Sequence, residues 1–385
     1  MARLGDVFNL QMGKTPARAN ATYWTNGTNA WVSIADLSSY EKYVGDTKEQ
    51  ITDLAVQESG IKAVPADTII MSFKLSLGKT AITKVPIYTN EAIMAFLPTE
   101  KYDVCPDYFF HLFSGRDWSE GTNRAVMGAT LNKATLSNME VVIPPLDEQR
   151  RIAAVLDKVS GLIAKRREQL DKLDELVKAR FVEMFGDPVS NPKGWNTIRL
   201  SELGDCKNGM NFHTDDSGVE IHCLGVGDFK NLSSISDTAK LPIITLNEMP
   251  TNDYLLKNGD IVFVRSNGNK ALVGRSVIVY PDDTPTTFSG FCIRFRIQNP
   301  IILPQYLLSV LKTASMRKQM TGRGANIQNL NQKILSELKI PVSPLPYQEE
   351  YIDFSIKIDK SKLTIQQSLD KLEVLKKALM QQYFG

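Results

Sequence analysis

The chain closes twice in the same way. Residues 136–186 end in LDKL…ELVKARFVEMFG, residues 335–385 end in LDKL…EVLKKALMQQYFG, and the two stretches align without a gap at about fifteen identical positions. Among these are Leu136, Pro145, Leu146, Gln149, Leu170, Asp171, Lys172, Leu173, Lys178, Ala179, Phe185 and Gly186. The repeat period far exceeds the ~20–50 residues of a solenoid unit. One module, a globular part followed by a long helix, therefore occurs twice in the 385 residues.

The helical parts are the most legible. After Pro144-Pro145 the sequence turns dense in Ala, Leu, Glu, Lys and Arg, which predicts a helix over about 147–184. The prolines before it, and Asp147 and Glu148 in its first turn, suit the positive end of the helix dipole. Ile152, Leu156, Val159, Ile163, Arg166, Leu170, Leu173, Val177, Arg180 and Met184 step alternately by four and three, a coiled-coil heptad. A helix of that length is a rod of about 55 Å. In the second copy, over about 347–383, the same positions hold Tyr351, Ser355, Ile358, Lys362, Ile365, Leu369, Leu372, Lys376, Leu379 and Tyr383. Arg166 and Arg180 interrupt the first seam where the second is apolar, and Lys362 and Lys376 interrupt the second where the first is apolar. Two flawed stripes of this kind favour pairing with each other in one chain. A local two-fold between copies would make the pair antiparallel, with the globular parts at opposite ends.

Residues 1–143 and 187–341 read as two mixed α/β globular parts, separated by helical segments 144–186 and 342–385. Short β-rich runs such as 30–34, 68–73 and 92–97 lie between Gly, Asn, Asp and Pro punctuation. Arg199-Leu200 echoes Arg3-Leu4, Gly259-Asp260-Ile261-Val262 echoes Ala66-Asp67-Thr68-Ile69, and Gly324-Ala325-Asn326 echoes Gly128-Ala129-Thr130. The globular parts have diverged more than the helices.

Several function classes find no support. There is no apolar run of ~18 residues and no cationic start followed by an apolar stretch, so we expect a cytoplasmic chain that neither spans nor contacts a membrane. Cys105, Cys206, Cys223 and Cys292 are scattered and read as free thiols, and His111, His213 and His222 show no metal-ligand spacing. Leu77-Gly78-Lys79-Thr80 resembles the tail of a phosphate-binding loop, but Phe73 stands where its first Gly is needed. Gly225-Val226-Gly227 is a lone pair of glycines and not a dinucleotide site. Acidic residues look dispersed and solvated, and no catalytic residue is assigned. The net charge of +2 is silent about nucleic acid.

Polar, basic loops recur at corresponding places in both copies. In the second, Arg265, Asn267, Lys270 and Arg275 follow the apolar run 261–264, and Arg323, Asn326 and Gln328 lie in another glycine-containing loop. In the first, the counterparts are Lys74, Ser76 and Lys79, then Arg124 and Thr130. Lys14 and Arg18 form a further basic turn, matched loosely by Lys207 and Asn208. Arg and Lys can hydrogen-bond guanine O6/N7 and Asn can pair with adenine, so these are candidate DNA-contacting residues. Any one such loop is ordinary in a soluble protein; the recurrence is the signal. Trp24, Trp31, Trp118 and Trp195 suit packing better than base stacking.

With Ile143-Pro144-Pro145-Leu146-Asp147-Glu148-Gln149-Arg150-Arg151-Ile152 opening a long helix, and Phe185-Gly186-Asp187-Pro188 and Asn191-Pro192-Lys193-Gly194-Trp195 following it, the chain resembles a specificity subunit of a type I restriction–modification system. The order of recognition domain, helix, recognition domain, helix covers essentially the whole chain. The resemblance implies that each recognition domain reads one half of a bipartite, asymmetric sequence in double-stranded DNA. It implies an intramolecular antiparallel coiled coil that sets the half-site spacing. Two modification subunits, which bind S-adenosylmethionine and methylate adenine, would dock on the chain, and ATP- and Mg-using restriction subunits would join them. The chain itself would hold no cofactor, metal or catalytic centre. Pro344-Leu345-Pro346-Tyr347-Gln348-Glu349 departs from the first copy's pattern, keeping Gln348 but shifting the acid. Two other classes compete: a coiled-coil scaffold with two protein-binding parts and no nucleic acid, and a stand-alone nuclease or methyltransferase.

Overall fold

The structure is a computed structural model. It describes residues 1–74, 76–118, 123–125, 128–212, 216–229, 233–321 and 329–385, with 123–125, 128–130 and Lys270 described by backbone alone. Two compact units form, residues 1–168 with 366–385 and residues 169–365, so each long helix contributes to both.

Unit 1 starts with β1 (Ala2–Arg3), the one-turn α1 (Leu4–Val7) and β2 (Phe8–Met12). Next come β3 (Asn29–Val32), α2 (Ile34–Ser39), β4 (Glu49–Ile51), α3 (Asp53–Ser59), β5 (Ile69–Ser72), β6 (Thr80–Ile82), β7 (Tyr88–Thr89) and β8 (Ile93–Pro98). α4 (Pro106–Gly115), the hairpin of β9 (Asn123–Ala125) and β10 (Gly128–Thr130), α5 (Lys133–Asn138) and β11 (Glu140–Val141) lead to the first long helix, α6 (Leu146–Phe185). The main sheet runs β2-β8-β5-β6, all antiparallel, and a smaller one runs β4-β3-β7. Side chains alternate across a strand, and here both faces are covered. Ile69 and Met71 of β5 meet Phe8, Phe96, Phe109 and Phe113, while Ile70 packs with Val32, Val64 and Ile87. Each such fully buried side chain is worth roughly 1.5–3 kcal/mol.

Unit 2 repeats the plan. β12 (Asn196–Arg199), α7 (Leu200–Leu203), β13 (Gly204–Asn208), β14 (Val219–Leu224), β15 (Ser234–Ile235), β16 (Ile243–Leu246), β17 (Asp260–Val264), β18 (Ser276–Val279), β19 (Thr286–Phe288) and β20 (Cys292–Ile297) form its sheets. The helices α8 (Pro304–Lys312), α9 (Ala314–Thr321) and α10 (Gln332–Ser336), then β21 (Lys339–Val342), precede the second long helix, α11 (Leu345–Phe384). The order β13-β20-β17-β18-β15 matches the first main sheet with one strand added, and β16-β14-β19 matches the small one. The echo of Arg3-Leu4 in Arg199-Leu200 is structural: Leu4 N–H donates to Met139 O and Leu200 N–H to Leu338 O, both at 2.8 Å.

Two sequence expectations need correction. The β-run predicted over 30–34 stops at Val32, because Ser33 Oγ accepts from Asp36 N–H (3.1 Å) and Asp36 Oδ2 from Ser33 N–H (3.0 Å). This reciprocal cap starts α2 instead. The echo around Gly259 slips by one residue. Asp67 (φ 54°) and Gly259 (φ 88°) both take a left-handed turn just before β5 and β17, so Asp67, not Ala66, corresponds to Gly259.

Each long helix is fastened to its globular part by a buried glutamine. Gln149 Oε1 accepts from Cys105 N–H (2.9 Å), and Nε2 donates to Asp103 O (3.0 Å) and Pro144 O (2.9 Å). Gln348 does the same with Leu303 N–H (2.9 Å), Ile301 O (3.0 Å) and Ser343 O (2.7 Å). Within each unit the segments of α6 and α11 run antiparallel. In unit 1 Arg151 lies beside Tyr383 and Arg167 bonds Glu373 (2.7 Å). In unit 2 Asp174 bonds Lys362 and Arg180 bonds Glu350, both at 2.6 Å, and the Phe181 and Phe185 rings lie 5.5 and 5.6 Å from Tyr351.

Unit 1 adds a charged tie. Asp157 of α6 accepts from Lys42 Nζ (2.6 Å) and from His111 Nε2 (2.8 Å), and Lys42 also bonds Asp107 (2.6 Å). Burial lowers the His111 pKa and outweighs the pull of Asp157. Burial alone would raise Asp157, but its bonds to Lys42 and His111 bring it below the usual carboxylate value.

Two outcomes follow from these ties. Gln149→Leu or Gln348→Leu would strand buried backbone groups and should reduce the unfolding free energy by about 2–4 kcal/mol in a urea titration. His111 favours its neutral form when folded, so its contribution is complete above about pH 6.5 and declines as pH falls below that value. The melting temperature should therefore drop between pH 7.5 and 5.5, and His111→Asn should flatten that slope.

Candidate nucleic-acid interface

In both units the loop after the first strand of the main sheet and the loop after β5 or β17 leave one end of that sheet. In unit 1 that end is set by the pairs Met12–Met94, Ser72–Ile93 and Met71–Thr80. In unit 2 it is set by Asn208–Ile293, Val264–Cys292 and Phe263–Ser276. Glycine makes the first loop possible in each. Gly13 N–H donates to Ile93 O (3.1 Å) and Gly209 N–H to Cys292 O (3.0 Å). A Cβ on Gly13 would lie 2.3 Å from Thr89 O, and one on Gly209 2.1 Å from Ser289 O, so the chain turns there only without a side chain. This match also aligns Lys14 with Met210, which places Lys207 opposite Gln11 rather than Lys14.

A second shared contact brings the two remaining loops of each copy together. Leu131 N–H donates to Phe73 O (3.0 Å), and Leu330 N–H donates to Arg265 O (2.8 Å). The segment entering α5 or α10 is thereby latched to the loop after β5 or β17. Asn132 and Asn331 cap those helices on Thr135 N–H (2.8 Å) and Ile334 N–H (2.9 Å). In both copies the described residue that makes the latch, Leu131 or Leu330, lies just before the capping Asn.

The candidates differ in what their side chains do. Lys79 and Ser76 are exposed, and Lys74, half-buried, has its ammonium 5.2 Å from the Phe73 ring. Lys14 is exposed but reaches Ser59 O. Arg18 is bidentate on Glu49 and stacked 3.8 Å from Trp24 and 4.8 Å from Trp31, so its guanidinium is committed to the small sheet. Lys207 lies 3.6 Å from Asp253 and 4.6 Å from the Tyr254 ring, and Asn208 ends β13 half-buried. Arg265 Nη1 approaches Gly290 O at 3.4 Å, and Asn267 Oδ1 shapes its own loop by accepting from Asn269 N–H (2.8 Å). Arg275 is half-buried in the same loop and adds to the burial that lowers the Arg317 pKa; Arg317 donates to Val273 O (3.0 Å). Arg323, Asn326 and Gln328 lie outside the described residues, as do the side chains of Arg124, Thr130 and Lys270.

Along the helices, Leu156, Val159, Ile163 and Leu369 are buried. Leu170, Leu173, Val177, Ile358, Ile365, Leu372 and Leu379 are half-buried. The acids are less solvated than expected: Asp260 is buried on Arg296 (2.7 Å), and the buried Arg294 bonds Asp205 (2.8 Å). These pairs were illegible because their members are far apart in sequence and meet only across strands. Among the described residues no group of three or more His, Cys, Asp or Glu could hold a metal, and no helix is long and apolar enough to cross a membrane.

The family signature described as a type I restriction modification DNA specificity domain matches residues 1–174 and again residues 192–376. The chain belongs to that family and carries its domain twice. It is 29% identical over 228 residues to the type I restriction enzyme MjaIX specificity subunit of Methanocaldococcus jannaschii, covering 54% of this chain and 52% of that one. It is 25% identical over 313 residues to the StySPI specificity subunit of Salmonella potsdam, covering 76% of this chain and 67% of that one. The chain thus spans about half to two thirds of the length of these relatives. A crystal structure of an S subunit from M. genitalium covers 100% of this chain and 95% of its own, with a TM-score of 0.57 at 14% identity. That likeness is one of fold.

Proposed function

We infer that this chain is the DNA-reading subunit of a type I restriction–modification complex. Residues 1–143 and 187–341 each read one half of a bipartite, asymmetric site in double-stranded DNA. Residues 144–186 and 342–385, an antiparallel coiled coil, set the distance between the halves and dock two modification subunits. The chain catalyses nothing itself. S-adenosylmethionine belongs to the modification subunits, ATP and Mg to restriction subunits that join them, and the assembly works in the cytoplasm. The observation that carries this is the twofold occurrence of polar loops latched at one sheet end, in a chain with two copies of a DNA specificity domain.

Arg265 and Lys79, on the loops after β17 and β5, take different parts in binding. Arg265→Ala should cost about 1–3 kcal/mol on the specific site and relax one base pair of one half-site. Lys79→Ala should weaken binding to all sequences alike and reduce the slope of log affinity against log salt by about one. Gel-shift titrations at several salt concentrations read both. Exchanging residues 1–143 for those of a relative should change one half-site alone, and inserting a heptad in α6 should change the preferred spacing alone, both scored by mapping methylated adenines. A chain that binds no DNA with or without its modification subunits would instead be a protein-binding scaffold.

A further inference from the structure

Phe291 is the most exposed aromatic side chain among the described residues, at 62%. A single exposed apolar residue is ordinary on a soluble protein. What sets this one apart is how firmly the backbone beneath it is held, and between what. It is the last residue of the three-residue turn 289–291 joining β19 to β20. Its carbonyl accepts from Arg265 N–H (2.8 Å), and its own N–H donates to Ser289 Oγ (3.3 Å). The preceding Gly290 N–H donates to Met210 O (2.8 Å), and Gly290 O receives the Arg265 guanidinium. The turn is therefore clamped between the loop after β13 and the loop after β17, two of the places where unit 2 carries polar candidates. The corresponding place in unit 1 is Ala92. There Phe73 N–H donates to Ala92 O (3.0 Å) as Arg265 N–H does to Phe291 O, and Ala92 is buried.

Resting on the DNA-reading function inferred above, we propose that Phe291 is a specificity-determining residue that reads a thymine by packing on its C5-methyl group. A phenyl ring offers no hydrogen bond to a base edge. In the major groove the thymine methyl is the apolar feature that rewards it. The ring is held out from a rigid turn, so little ordering cost attends the contact. Arg265 next to it can engage a neighbouring guanine, which fixes the approach. Only one half-site carries this contact, since Ala92 cannot reach out in the same way.

The test starts from the full chain assembled with its modification subunits and a pool of randomised DNA duplexes, from which bound sequences are recovered. Wild type should select a thymine at one position of one half-site, and Phe291→Ala should lose that preference while keeping the rest of the site and an unchanged melting temperature. On the selected duplex, Phe291→Ala should bind about five- to a hundredfold more weakly. Replacing that thymine by uracil, which removes only the methyl, should weaken wild type about three- to fourfold and leave Phe291→Ala unaffected. If both proteins select the same sequence, or if uracil weakens both equally, Phe291 does not read the methyl. A loss of affinity in Phe291→Ala with no uracil effect in wild type would make the ring a wedge between base steps and overturn the assignment. If wild type selects no sequence at all, the DNA-reading function itself falls.

Discussion

A buried glutamine amide near the start of each long helix is the contact on which the arrangement depends. A helix N-terminus leaves backbone N–H groups unsatisfied, and so does the loop entering a neighbouring helix. Gln149 and Gln348 each accept from one such N–H, at the entry to α4 or α8, and donate to two carbonyls, one in that same loop and one just before their own helix. Both are fully buried. The side chain has one acceptor and two donors to give, and all three are used. That makes each junction between globular part and helix a held one rather than a tether.

The helical segments show the same economy in their polar interruptions. Arg180 and Lys362 fall on seam positions that an ideal heptad would fill with Leu or Ile. In unit 2 each finds a carboxylate on the other helix, Arg180 on Glu350 and Lys362 on Asp174. A polar group at a seam sets register and partner at some expense of stability. The interruptions therefore act as addresses, favouring the pairing of this α6 with this α11 over pairing of either with itself.

The globular parts keep their frame and vary their contents. The main sheets share four strands in one order, the glycine turns at Gly13 and Gly209, and the latches at Leu131 and Leu330. Between these fixed points the side chains differ freely: Lys79 and Lys74 in one copy, Arg265, Asn267 and Phe291 in the other. Such a frame lets many loop side chains change without refolding, because the contacts at Gly13, Gly209, Leu131 and Leu330 are made by backbone atoms.

Sequence alone determined the duplication and both long helices, whose starts follow the prolines before Leu146 and Leu345. These are local matters: heptad spacing and helix punctuation are written along the chain. It also singled out polar loops that recur in both copies, and in each copy the loop after β5 or β17 does sit at the same end of the main sheet. Tertiary structure decided which of their side chains remain available. Arg18 lies on Glu49, Trp24 and Trp31, which no local pattern indicates, and the exposure of Phe291 is equally hidden because a lone Phe after Gly is also what a buried strand edge looks like. Whether a side chain faces solvent or a partner depends on strands far apart in sequence, such as β13, β17 and β20, coming to lie side by side. No local pattern encodes that.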